Sequence, residues 1–204
     1  MHQPRGPFIV VLTLALVAVG CEDRSSPGGA TRHYWNQLHQ LSQKGQDVER
    51  RLERARTPTQ FASALDQASR TFHEIARGVN RLPVENVDRD VVAYASESVV
   101  VLNRTATWAQ QTAALTREFQ ALADHAQSPE ALAEAFIRGF FGDPTGTHDD
   151  LVIADAQLRQ QAHLLEREWA RIEQQLNALG RQEMMLRRRL SEQYGGEFPA
   201  LDGG

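Results

Sequence analysis

The chain has 204 residues, 41% of them hydrophobic and 24% charged, with a formal net charge of -4 at pH 7. That length supports one sizeable domain with its own core. The mild acidity excludes a sequence-independent nucleic-acid binder, which needs a basic face, and the single cysteine, Cys21, excludes any disulfide within the chain.

The amino-terminal segment carries one positive charge, Arg5, ahead of the apolar run Phe8 to Gly20. At about thirteen residues that run falls short of the ~20 that a spanning helix requires, so residues 1–20 read as a signal peptide. The run ends in Ala18-Val19-Gly20-Cys21, which resembles the lipobox of bacterial lipoproteins, with Ala18 where that family usually has leucine. The resemblance covers roughly the first tenth of the chain. It implies a diacylglycerol on the Cys21 thiol, cleavage before Cys21 and acylation of the new amino terminus. The expected address is the bacterial cell envelope, facing the extracytoplasmic side, with the membrane itself as a partner through the anchor. Loss of Arg5 with the leader takes the net charge from -4 to -5.

Residues 21–31 follow as an expected flexible tether, polar and containing Ser25-Ser26-Pro27-Gly28-Gly29. Ten such residues span at most ~35 Å. Between residues 46 and 138 glycine is sparse while Ala, Leu, Gln, Glu and Arg abound, a helix-forming composition. A first helix is expected from about Arg32 to Arg56, with a seam of Leu38, Leu41, Val48, Leu52 and Ala55. The Thr57-Pro58 pair ends it, because a residue before proline avoids the helical region.

The second helix, running to about Leu82, alternates steps of four and three along Phe61, Leu65, Ala68, Phe72, Ile75, Val79 and Leu82. The third starts near Asp88 and is expected to reach Gln127, with Val91, Tyr94, Ser98, Val101, Thr105, Trp108, Thr112, Leu115, Phe119, Leu122 and Ala126 on its seam. A short fourth helix is expected from Ser128-Pro129 to about Phe141, followed by a turn at Asp143-Pro144-Thr145-Gly146.

The last helix, from Thr147 to Tyr194, has the strongest repeat: Leu151, Leu158, Leu165, Ile172, Leu179 and Leu186 recur every seven residues. Asp155, Ala162, Trp169, Leu176, Glu183 and Leu190 accompany them. Such a repeat implies a left-handed supercoil. Residues 195–204 are expected to be a frayed, disordered tail.

The expected fold is therefore all-α: an elongated antiparallel bundle over residues 32–194, with coiled-coil-like heptad packing. It would hold two long and two shorter helices plus one short helix. Folding the third helix back on the last should bring Trp108 and Trp169 within about one turn of each other.

No catalytic, cofactor or metal signature is present. Glu-x-x-His, His-Glu-x-x-His, Cys-x-x-Cys-His, Gly-x-Ser-x-Gly and a phosphate-cradling glycine loop are all missing. The densest basic run, Arg187-Arg188-Arg189, suits a helix carboxyl end; its functional alternative is contact with anionic headgroups or wall polymer. Thr105 and Thr112 share the seam of Trp108, and their hydroxyls are expected to bond back to the preceding turn. The alternative is a polar layer around a small ligand cavity formed by Trp108, Trp169, Thr105 and Thr112.

The leading expectation is a non-enzymatic, lipid-anchored interaction or scaffold protein that meets an unidentified envelope protein. A second is a ligand-sensing or ligand-carrying accessory bundle, similar in shape to the periplasmic domains of bacterial chemoreceptors. A third, an envelope chaperone, rests on Leu115-Thr116-Arg117-Glu118-Phe119, which partly resembles the Leu-Thr-x-x-Gln repeats of small helical-hairpin chaperones.

Overall fold

A computed structural model describes residues 26–123 and 156–201. Among them are four α-helices and no strand: α1 (Pro27–Arg54), α2 (Pro58–Val79), α3 (Arg89–Ala123) and α4 (Ala156–Tyr194). The expectations for Cys21, Ala126, the short helix at 128–141, the turn at 143–146, Leu151 and Asp155 fall outside the described residues, as does the side chain of Leu122.

α1 begins five residues earlier than Arg32, and the glycine-rich stretch expected in the tether is helical. Ser26 is the N-cap, its hydroxyl accepting from the Gly29 N–H at 3.1 Å, and Pro27 takes the first helical position, where its missing N–H costs nothing. The glycines are tolerated because tertiary contacts replace what propensity lacks. A Cβ on Gly28 would stand 3.0 Å from the Tyr194 ring.

α2 repeats the same start, with Thr57 as N-cap and Pro58 first in the helix. After Val79 the chain tightens through Arg81 N–H to Gly78 carbonyl and Leu82 N–H to Val79 carbonyl bonds, both 3.1 Å. Asp88 then caps α3, its Oδ1 accepting from the Asp90 and Val91 N–H groups at 3.0 and 3.4 Å.

The helices pack in chain order, α1 on α2, α2 most extensively on α3, and α3 on α4. Two apolar clusters run along the bundle. One joins Val48 at the end of α1 to Phe61 and Leu65 at the start of α2, with Trp108 and Phe119 of α3 and Leu158, Leu165 and Ile172 of α4. The other joins Trp35 and Leu38 near the start of α1 to Ile75 and Val79, Val91 and Tyr94, and Leu186 and Leu190. Each cluster pairs the end of one helix with the start of the next, so the neighbours are antiparallel.

The central position of α3 explains its second buried row, which the seam did not include. Ala95, Ala106, Ala109 and Ala113 are buried beside the seam. On α2, Ala62, Ser69 and Ala76 are buried likewise. Small side chains on both helices permit a close approach, and they carry little hydrophobic signal in a sequence.

The carboxyl-terminal segment corrects the expectation of a frayed tail as far as residue 201. Gly195 and Gly196 both have φ of +71°, a left-handed backbone that glycine adopts without penalty. They turn the chain back along α1. Phe198 is only 2% exposed and meets Trp35 edge-on, with ring centroids 5.9 Å apart. Trp35 donates its indole N–H to the Pro199 carbonyl at 2.8 Å, and His39 Nδ1 lies 2.6 Å from the Ala200 carbonyl. Among the described residues no helix is long and apolar enough to cross a membrane.

Candidate functional site

The antiparallel pairing of α3 and α4 brings Trp108 and Trp169 together, with ring centroids 4.5 Å apart and planes inclined by 35°. Their environments differ. Trp108 is buried and donates its indole N–H to the Leu165 carbonyl at 2.9 Å, so its one polar group is satisfied within the bundle. Trp169 remains 37% exposed, and Leu176, seven residues later on the same row, is 44% exposed. The companion row of α4 therefore turns outward over this stretch. It returns to the core at Glu183 and Leu190.

Beside Trp108 lies an open groove of about 620 Å³ between α3 and α4. Trp108, Leu164 and Leu165 supply its apolar part, and Arg104, Arg167, Glu168 and Arg171 its charged part. Arg104 and Glu168 form an ion pair across the helices, and Arg104 also donates to Gln175 at 3.2 Å. The hydrogen bond from Arg104 is the main cause that holds the Glu168 carboxyl below the usual carboxylate range; partial burial opposes it, and the charges of Arg104 and Arg171 reinforce it.

Of the four residues proposed from the sequence for a ligand cavity, only Trp108 lines this groove; Trp169, Thr105 and Thr112 do not. Thr105 donates to the Val101 carbonyl at 2.9 Å, the back-bond expected of it. Ser98 does the same to Tyr94 at 2.9 Å. Thr112 departs from the pattern. It is fully buried, and its hydroxyl has no hydrogen-bond partner among the described residues. Arg104 and Glu168 are among the groove residues outside the seam, which they flank as ordinary charged surface residues.

The basic run near the end of α4 is engaged within the fold. Arg187 donates to the Phe198 carbonyl at 2.8 Å, and Arg188 meets Glu192 at 3.1 Å. Arg189 binds both oxygens of Asp88, at 2.7 and 3.1 Å, and Asp90 at 3.1 Å. Burial alone would raise the Asp88 pKa. The Arg189 hydrogen bonds and charge, with the Asp90 and Val91 N–H groups, outweigh it and hold the carboxyl below its ordinary range. Glu183, buried at a seam position, accepts the Leu201 N–H at 2.8 Å.

Among the described residues the histidines stand singly: His73 faces Asn103 at 3.1 Å and His163 faces Glu166 at 3.5 Å. Among the described residues no group of three or more His, Cys, Asp or Glu side chains could hold a metal ion. The arrangement is thus an apolar shelf with a charged rim, able to seat an amphiphilic molecule or a side chain of a partner. Comparison with known proteins adds no assignment: no protein-family model, curated protein sequence or solved structure matches the chain.

Proposed function

We propose that the protein is a lipid-anchored helical bundle of the bacterial envelope that acts by protein contact rather than by catalysis. The leader and Cys21 supply the address. The observation that carries the reading is the early start of α1. With the helix beginning at Pro27, only residues 22–26 separate Cys21 from the bundle, a link of at most ~20 Å. A bundle held that close to its anchor is a stiff post, with α4 alone about 58 Å long at 39 residues. Its buried and half-buried polar groups support the same reading, since Trp108, Asp88 and Glu183 each serve a contact between elements. The seven-residue spacing of Leu158, Leu165, Ile172, Leu179 and Leu186 is taken as coiled-coil-like packing that stiffens the post.

Two measurements test the reading. Cys21→Ala should move the protein from the membrane to the soluble envelope fraction; retention with lipid would end it. Photo-crosslinkers placed on α2 and α4 should capture a defined envelope protein, and capture of lipid alone would count against a scaffold. The groove beside Trp108 favours the second reading, a bundle that carries a small amphiphile. A ligand there should change the fluorescence of the Trp108–Trp169 pair, and should do so less after Arg104→Ala.

A further inference from the structure

At the end of the bundle opposite the α1 amino terminus, the last turns of α1 and the first half of α2 border a second open groove, of about 540 Å³. Arg51 and Arg54 reach it from α1 and Arg70 from α2, and among the described residues none that lines it is a carboxylate. This distinguishes it from the groove beside Trp108, where Glu168 faces the arginines. It also runs against the chain as a whole, which carries 26 acidic and 22 basic residues.

Arg51 and Arg54 stand in the last turn of α1, where positive charge is favourable in any case. That account does not reach Arg70, which lies well inside α2 and adds a third like charge to the same concavity. The first turn of α2 holds no acidic residue, so the positive end of that helix is uncompensated by its own sequence.

The polar groups around the arginines sharpen the chemistry. The Gln60 Oε1 accepts the Arg56 N–H at 2.9 Å, and the Gln67 Oε1 accepts from Arg70 at 3.1 Å. Each amide oxygen is thus turned toward a donor of the fold, and the two amide NH2 groups and the guanidinium N–H groups can serve a ligand. A concavity with three guanidinium groups and no carboxylate among its described lining residues fits an oxyanion. Guanidinium forks match phosphate oxygens pairwise, and the volume lies in the range of small-molecule sites rather than of a single ion.

We infer that this groove binds a phosphate-bearing anion through Arg51, Arg54 and Arg70. The inference stands apart from the lipid-anchor reading, because it uses only residues of α1 and α2. It predicts saturable binding of pyrophosphate to the full chain in non-ionic detergent, measured by titration calorimetry. Replacing all three residues, as Arg51→Gln, Arg54→Gln and Arg70→Gln together, should weaken that binding by about tenfold or more, the scale of losing charge-assisted hydrogen bonds. Arg188→Gln, elsewhere on the surface, should leave it unchanged.

A second arm uses dihexanoyl phosphatidylglycerol, with dihexanoyl phosphatidylcholine as control. Binding there, abolished by the same substitutions and absent with pyrophosphate, identifies a lipid headgroup as the source of the phosphate. Circular dichroism checks that the triple variant is folded, and Arg70→Gln alone carries the test if it is not. No saturable binding in either arm, or equal binding by the variants, overturns the inference.

Discussion

Thr112 shows how a single buried hydroxyl can be read as a liability. Its side chain is sealed at the α3 seam with no acceptor among the described residues, while Thr105 and Thr116 both bond back to the preceding turn. An unsatisfied buried polar group costs about 1–3 kcal/mol. Thr112→Val keeps the shape and removes the hydroxyl, so it should stabilise the bundle by about 1 kcal/mol, visible as a higher urea midpoint at unchanged slope. A lower midpoint would mean that the hydroxyl does find a partner.

Asp88 makes the opposite case, since it serves as N-cap of α3 and as the partner of Arg189. Its folded pKa is depressed, so the folded state binds the proton less tightly than the unfolded chain. The stability it contributes is complete at neutral pH and is lost as pH falls through the folded value, below the ordinary ~3.9 of an aspartate. Glu168 is depressed as well and acts in the same direction. Asp88→Asn retains the cap oxygen but loses the charge. It should cost about 1–2 kcal/mol at pH 7, given a half-exposed arginine partner, and should flatten the acid limb of the stability curve. Chemical denaturation at a series of pH values checks both effects.

At the scale of elements, the clasp of residues 195–201 over α1 makes the sharpest prediction. Phe198 closes the cluster around Trp35, and Arg32 lies over its ring at 5.3 Å. Phe198→Ala should destabilise the protein by about 3 kcal/mol, near the low end for a buried aromatic, and should shift Trp35 emission to the red. A frayed tail would give neither effect.

The clasp also shows where the sequence was legible and where it was not. Periodicity located all four described helices and the seams of α2 and α3, because spacing of three and four directly encodes a buried face. It brought Trp108 to Trp169 because antiparallel pairing of two long helices fixes their register. It missed the clasp because one buried Phe198 and one Leu201 make no period. Pro27-Gly28-Gly29 reads as tether by composition, whereas the Ser26 cap and the Tyr194 ring against Gly28 make it helical, a contact that no local pattern records. Trp169 and Leu176 share the seam's spacing yet stay partly exposed, because α3 meets Trp169 on one side only, a matter of tertiary neighbours that spacing along one chain cannot record.

For the molecule as a whole, the decisive quantity is orientation. The α1 amino terminus, the connection between α2 and α3, and the clasp all gather at one end, as the Thr31 hydroxyl accepting the Asp88 N–H at 2.9 Å and Arg32 donating to the Tyr194 carbonyl at 3.3 Å indicate. The turn between α1 and α2 lies at the other end. If Cys21 anchors the chain through so short a link, the first end must stand at the bilayer and the arginine groove must face away from it. A bioorthogonal dye at Arg81, exposed near the first end, should transfer energy strongly to an acceptor dye in the lipid of reconstituted vesicles. The same dye at Ser63, sixteen residues back along α2 from its last residue Val79 and thus ~24 Å farther out, should transfer markedly less. Equal transfer from both sites would mean that the bundle lies flat on the surface. In that case the arginine groove would have the same bilayer within reach, and a post that projects toward a distant partner would no longer describe the protein.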